Sequence, residues 1–396
     1  MNKLAQEMET ELTAHILPFW MEKAVDRENG GFYGYISSSL EVDAAHDKSG
    51  VLCARILWSF SRAYRMFGRR EYLTAARRAY DYLRSYFWDA ENGGIYWSVH
   101  YDGAPSQTKK QTYVQAFALY GVIEFFEASG DPSALALSEK LYRLIETHCL
   151  DSEYGGYIDA LSGEWGALED TSLSEKDMNV AKTMNTNLHV MEAYANFQRV
   201  SPRAETAESL RRLIEVMEKH ILSDEEKSLQ MYFDRDWTSR SQMRSYGHDI
   251  EGSWLLYEAA EILGDEALKK RMALLAEEIA AQVFENGIDR ENGGLICEVD
   301  RGAVVSDEKE WWAQAEAVVG FFNAWQLSGK REYLDVSAQM WQFIQDNYIT
   351  GLGEWYWGVS HDKKRHDNPE LAGPWKCPYH NSRMCMKIIR RVKYSI

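Results

Sequence analysis

Two kinds of helical segment alternate along the chain. In one kind, as in the stretch holding Leu135, Leu141, Leu144 and Ile145, apolar residues recur at helical spacing with charged residues between them. That is the stripe of a helix lying over a core. The other kind is apolar nearly all round, as in residues 114–126 and 315–325, and such a helix belongs inside. Short connections separate them: G-R-R-E-Y after Phe67, G-D-P-S after Ser129, G-D-E-A after Leu263 and G-K-R-E-Y after Ser328. A glycine just past a helix, followed by an acidic or N-capping residue, stops one helix and starts the next.

Between the helix pairs a turn motif recurs. D-R-E-N-G-G-F-Y-G-Y-I starts at Asp26 and returns as D-A-E-N-G-G-I-Y-W-S-V at Asp89, D-S-E-Y-G-G-Y-I-D-A at Asp151 and D-R-E-N-G-G-L-I-C-E-V at Asp289. The long gap before Asp289 has room for a degenerate copy, D-E-E-K-S-L-Q-M-Y-F, near Asp224. A sixth version, G-L-G-E-W-Y-W-G-V, starts at Gly351. Paired glycines followed by alternating apolar residues predict a turn and a short strand. Six copies spread over the whole chain predict an all-α fold, an (α/α)6 barrel of six inner and six outer helices with short β-hairpin loops at one end. Residues 1–396 then form a single domain. The first outer helix is expected near residues 3–17, and the last inner helix should start near Pro378. The long motif-bearing loops meet the N-termini of the inner helices, so that end is the expected cleft.

Composition narrows the chemistry. Among 396 residues, 61 are acidic and 44 basic, a formal charge of −17, which argues against nucleic acid and anionic membranes as partners. The most apolar stretch, 114–126, is too short to span a bilayer and contains Glu124. The opening MNKLAQEMETEL lacks the apolar core of a signal peptide. The five cysteines (Cys53, Cys149, Cys297, Cys377, Cys385) are odd in number and scattered, which suggests neither a disulfide framework nor a zinc site. These features together predict a cytoplasmic location. Aromatic residues are frequent at 13%, with 14 Trp and 23 Tyr. Aromatic faces stack on the C–H faces of sugar rings, which points to carbohydrate, although aromatics also fill cores.

The repeat sorts the ten histidines. His15, His148 and His220 fall near the ends of outer helices, where a cation suits the helix dipole; His46, His100, His361 and His366 fall in loops. His189, His248 and His380 each lie near the start of an inner helix, so all three should face one cavity. Arg55, in C-A-R-I-L-W, sits at the same level on the first inner helix, where burial of a charge needs a reason. Glu251 is three residues after His248 and shares its helix face. Trp311 and Trp312 open the fifth inner helix. Trp375 precedes the sixth in G-P-W-K-C-P-Y-H and is the best candidate for a sugar platform. No compact motif for metal ligation is present, so no metal is expected.

The six repeats, with R-I-L-W, K-T-M-N-T-N-L-H, S-Y-G-H-D-I-E, W-W-A-Q-A-E-A and G-P-W-K-C-P-Y-H-N-S-R-M-C, resemble the N-acylglucosamine 2-epimerase superfamily over essentially the whole chain. The resemblance implies that Arg55, His189, His248 and His380 surround a reducing-end sugar. It also implies that Asn185, Glu251, Trp375 and one of Trp311 and Trp312 touch it; Tyr113 is counted with these contacts. The implied activity is inversion at C2 of the reducing glucose of a β-1,4-linked disaccharide such as cellobiose or lactose, through ring opening and a cis-enediolate. Arg55 and His189 would stabilise the enediolate, His248 and His380 would exchange acid and base roles, and Glu251 would orient or polarise His248. No cofactor is required, and the expected partner is the disaccharide alone, bound by a monomer or weak homodimer. The other readings are an N-acylglucosamine 2-epimerase, an aldose–ketose isomerase, a glycoside hydrolase using Glu251, Glu316 or Asp249, and a non-catalytic binding barrel.

Overall fold

Glycine connections and turn motifs divide the chain into repeating helix pairs. The computed structural model describes residues 1–306, 308–365 and 370–394, and among these twelve helices alternate. The outer helices are α1 (2–22), α3 (70–87), α5 (132–149), α7 (204–221), α9 (Glu266–Asn286) and α11 (Arg331–Asn347). The inner ones are α2 (Gly50–Phe67), α4 (Thr112–Ser129), α6 (Met184–Val200), α8 (Tyr246–Leu263), α10 (Trp311–Ser328) and α12 (Tyr379–Tyr394). Each inner helix packs on the next, and α12 packs back on α2, which closes the ring as an (α/α)6 barrel. α4 is buried continuously from Thr112 to Phe125, whereas α5 buries a stripe made by Ala134, Leu137, Ser138, Leu141 and Tyr142. The two hydrophobic patterns thus separate inner from outer helices.

The short connections gather at one end. Gly68, Gly130, Gly264 and Gly329 end their inner helices at φ of 69°, 69°, 68° and 72°, the left-handed conformation that glycine adopts without strain. Asp131 and Asp265 then cap α5 and α9.

At the opposite end the loops form a second closed ring. Lys48–Ser49 pairs with Ser98–Val99, Lys110–Gln111 with Ala160–Leu161, and Lys182–Thr183 with Tyr232–Phe233. Met243–Ser245 pairs with Glu298–Asp300, and Lys309–Glu310 with Gly358–Val359. Finally Glu370–Ala372 returns to Ile36–Ser37 of the first loop. Every strand that leads into an inner helix is therefore tied to the neighbouring loop, which fixes the helix N-termini at one level.

The turn motif explains its own composition. Asp26, Asp89, Asp151 and Asp289 each accept backbone N–H groups two and three residues on. Each also pairs with a buried lysine just before the inner helix: Lys48 at 2.7 Å, Lys110 at 2.8 Å, Lys182 at 2.9 Å and Lys309 at 2.7 Å. The second glycine lies under an aromatic ring from an adjacent element. A Cβ on Gly94 would stand 2.6 Å from Trp165, and one on Gly156 2.3 Å from Trp237. The copy near Asp224 is a hairpin as well, Leu222–Ser223 with Ser228–Leu229, in which Lys227 takes the positive φ.

α1 runs past its expected end near residue 17. A π-helical turn, Glu11–Ile16, shifts the hydrogen-bond register, so Pro18 falls in the first turn of a following segment, Leu17–Glu22. There its missing N–H costs nothing.

These Asp–Lys pairs make the rim acid-sensitive. Burial alone would raise the Asp89 pKa, but Lys110 and the turn amides more than offset it and bring it to about 2. A carboxylate depressed in this way stabilises the fold fully above its unfolded pKa of about 3.9, and that contribution fades as pH falls towards 2. Asp89→Asn is expected to lose about 2 kcal/mol at pH 7 and far less near pH 2, as read by urea unfolding at both values.

Candidate active site

The candidate residues collect in the first turns of the inner helices, at the hairpin end. Arg55 lies in the second turn of α2, Tyr113 in the first of α4, and Asn185 and His189 at the start of α6. His248 and Glu251 open α8, Trp311 and Trp312 open α10, and His380 is the second residue of α12. Caps set these starts: Ser49, Thr183 and Ser245 accept the first backbone N–H groups of α2, α6 and α8.

On one side, Arg55 is only 3% exposed and among the described residues has no carboxylate partner. Its guanidinium donates to the Tyr113 hydroxyl at 2.7 Å and stands 4.3 Å from the Phe117 ring centroid and 4.9 Å from that of Tyr379. An aromatic cage thus holds the charge without neutralising it. The Tyr113 ring meets His189 edge-on at 5.2 Å and Trp375 at 5.8 Å, and Trp375 in turn meets Trp97 at 6.0 Å. Nδ1 of His189 is bonded to Glu192 at 2.9 Å.

Across the barrel, Trp312 lies between two imidazoles, 4.6 Å from His248 and 5.7 Å from His380. Gly247 makes this possible, since a Cβ there would lie 2.7 Å from the Trp312 ring. The indole N–H of Trp312 donates to Glu310. Nδ1 of His248 is bonded to the Ser245 hydroxyl and Nδ1 of His380 to Glu316, each at 2.8 Å. Glu316 fixes the tautomer by accepting the Nδ1 proton, which leaves the lone pair of His380 on Nε2. Burial, helped by His189, pushes the His248 pKa down to about 3. Burial followed by Arg55 and Arg383 holds that of His380 well below the histidine range. Both imidazoles are therefore neutral at neutral pH.

Arg383 ties the two sides together beneath the cleft. Fully buried, it donates to Glu192 at 2.5 Å, to Glu316 at 2.7 Å and to Glu251. Burial opposes ionisation of Glu192, but Arg383 and His189 hold its pKa well below the carboxylate range. Burial and the neighbouring Glu316 push Glu251 up to about 7. Glu251, Glu316 and His380 bring possible ligand atoms within 4.8 Å of one another. A guanidinium already bridges the two carboxylates, so this donor set does not suit a metal ion.

Several expectations change. Glu251 does not hold His248; Ser245 does, because the buried Arg383 draws the Glu251 carboxylate to itself. Of the adjacent tryptophans, Trp312 meets the imidazoles, while Trp311 packs on Trp357 at 4.5 Å with Lys376 over its ring. His148 and His220 stack on Trp165 and Trp237 at 4.6 and 5.2 Å. Burial lowers the pKa of both, so they pack as neutral rings and not as dipole-paired cations. His366 lies outside the described residues. Sequence reasoning missed Glu192, Glu310, Arg383, Ser245 and Trp97. Of these, Arg383 and Glu192, charges on helices that must be inner, carried a signal like the one that singled out Arg55.

A family model described as N-acylglucosamine 2-epimerase (GlcNAc 2-epimerase) matches residues 31–383. The chain is 45% identical over 388 residues to a cellobiose 2-epimerase of Bacteroides fragilis, covering 98% of each chain. It is 41% identical over 390 residues to a cellobiose 2-epimerase of Ruminococcus albus, covering 98% of this chain and 99% of that one. A crystal structure of a sugar epimerase from a ruminal bacterium superposes with a TM-score of 0.94 at 40% identity, covering 98% of both chains.

Proposed function

Because the chain belongs to the N-acylglucosamine 2-epimerase family and is a carbohydrate epimerase, we propose that it inverts C2 of the reducing-end glucose of β-1,4-linked disaccharides. Cellobiose would become glucosyl-mannose and lactose epilactose, with residues 1–396 acting as one catalytic unit. The observation that carries this reading is the pair of imidazoles flanking Trp312, on the two helices to either side of α10, each anchored through Nδ1.

The reaction demands such a pair. C2 lies beside the masked aldehyde, so its hydrogen becomes acidic only after the ring opens. Removing that proton leaves an enediolate, whose oxygens need fixed donors in a site shielded from water. Arg55, caged by aromatics and unpaired with any described carboxylate, and His189, oriented by Glu192, are the donors. Inversion requires the new proton to reach the opposite face of C2. The neutral one of His248 and His380 takes the C2 proton through Nε2 and becomes an imidazolium. The other, which first acquires a solvent-derived proton at Nε2, delivers it to the opposite face and is left neutral. Exchange with solvent resets the pair, and the roles reverse with direction. Negative charge growing on the enediolate favours the protonated form of whichever imidazole carries the proton.

The polar atoms left without partners suit a polyhydroxyl ligand. Arg55 Nε, Asn185 Oδ1 and Glu251 Oε2 are buried and carry no hydrogen bond among the described residues, a costly state that sugar hydroxyls relieve. Trp312 and Trp375, both partly exposed, supply flat faces for the two sugar rings. A hydrolase would need free carboxylates on either side of a glycosidic bond, whereas Glu251 and Glu316 are bridged by Arg383. Incubation with cellobiose tests the reading. Glucosyl-mannose should accumulate with no release of glucose, and free glucose in its place would overturn it.

A further inference from the structure

The fourth residue of three inner helices clamps the hairpin of its own repeat with an amide. Gln115 accepts the N–H of Ile95 at 2.8 Å and donates to its carbonyl at 2.7 Å. Asn187 does the same with Tyr157 at 2.9 and 3.2 Å, and Gln314 with Leu295 at 2.7 and 3.0 Å. In the fourth repeat that position is Asp249, which accepts the N–H of Leu229 at 2.6 Å. Its second oxygen, Oδ2, is fully buried and has no partner among the described residues. By analogy with the other three repeats, Oδ2 takes the place of the amide NH2 that donates to the hairpin carbonyl. An ionised carboxylate there would set charge against a carbonyl with no donor to compensate it.

We infer that Asp249 is kept as a neutral carboxylic acid whose Oδ2–H donates to the Leu229 carbonyl, completing the fourth clamp and positioning the start of α8, where the adjacent His248 sits. Burial raises its pKa to about 7 against the pull of the Leu229 amide and Arg244. Two ionisable side chains act on it. Arg244, on the strand leading into α8, is itself paired with Glu226, and Tyr246 opens the helix.

The sign of the linkage follows from this. The folded pKa lies above the unfolded one, so stability is greatest in acid. It falls as pH rises from about 4 to about 7 and changes no further above that. The hairpin clamp itself loosens where the folded group ionises. Asn carries the missing donor at every pH, so Asp249→Asn should restore what ionisation removes.

Thermal unfolding of the wild-type chain and Asp249→Asn between pH 4 and pH 8 tests this without reference to any substrate. The variant is expected to melt with the wild type near pH 4 and a few degrees above it at pH 8. Equal displacement at both pH values, or a variant less stable at pH 8, would overturn the neutral-acid assignment. The positioning role rests on the proposed epimerase reading and has its own readout. Asp249→Ala should lower kcat at pH 7 with little change in KM, and Asp249→Asn should regain it to within a few-fold. Equal kcat in both variants would overturn that role while leaving the melting result to stand by itself.

Discussion

Replacing either His248 or His380 with Asn is expected to lower epimerisation by at least about 10²–10⁴-fold in both directions, the usual contribution of a general acid or base. Asn keeps a polar group near Ser245 or Glu316 and removes Nε2, so the barrel should remain folded, as circular dichroism and thermal melting can check. The two variants need not behave alike. If each imidazole serves one face of C2, one variant should still exchange the C2 proton of the gluco sugar with deuterated solvent and the other that of the manno sugar. His189→Asn acts elsewhere, weakening stabilisation of the enediolate or ring opening, and should slow both directions alike. Near-normal turnover in either His248→Asn or His380→Asn would remove the two-histidine mechanism.

The second large effect concerns Arg383. Its guanidinium is fully buried, bonded to Glu192, Glu251 and Glu316, and stands 4.8 Å over Trp254 and 4.4 Å over Tyr379. Arg383→Met keeps much of the side-chain volume but leaves three carboxylates buried beside one another. Removing one partner from such a cluster typically costs about 3–5 kcal/mol, and this loss should appear in urea unfolding at pH 7. The deficit should shrink as pH falls, since protonated carboxyls no longer repel. Activity should fall as well, because Glu192 anchors His189 and Glu316 anchors His380. A variant with wild-type stability at pH 7 would show that the cluster is not held by this charge.

The barrel was legible because its information is local and repeated. Left-handed glycines end four of the inner helices, Asp and paired glycines shape four of the turns, and hydrophobic patterning separates inner from outer helices. The level of Arg55, His189, His248 and His380 followed from distance to the start of an inner helix, which the repeat supplies. Partnership did not follow. Glu251 shares a helix face with His248, yet its bond goes to Arg383, 132 residues away, and Glu192 reaches the same guanidinium across 191 residues. A helical face shows which residues share a side; it does not show which of several buried charges will compete for them. The lysines preceding the inner helices escaped notice for a related reason: they lie 20 to 31 residues after their aspartates, a variable gap that hides the pairing. The end of α1 was misjudged because a proline normally marks a helix boundary, and the π-helical turn that accommodates Pro18 has no clear sequence signature.

Conversion of cellobiose in D2O, followed by proton NMR at C2 of the reducing unit, tests the central claim most directly. With two imidazoles on opposite faces, the proton removed from the gluco sugar is not the one delivered. Each glucosyl-mannose formed in the first turnovers should therefore carry deuterium at C2, while the remaining cellobiose stays protiated. Glucosyl-mannose that retained the original hydrogen at C2 would contradict the account.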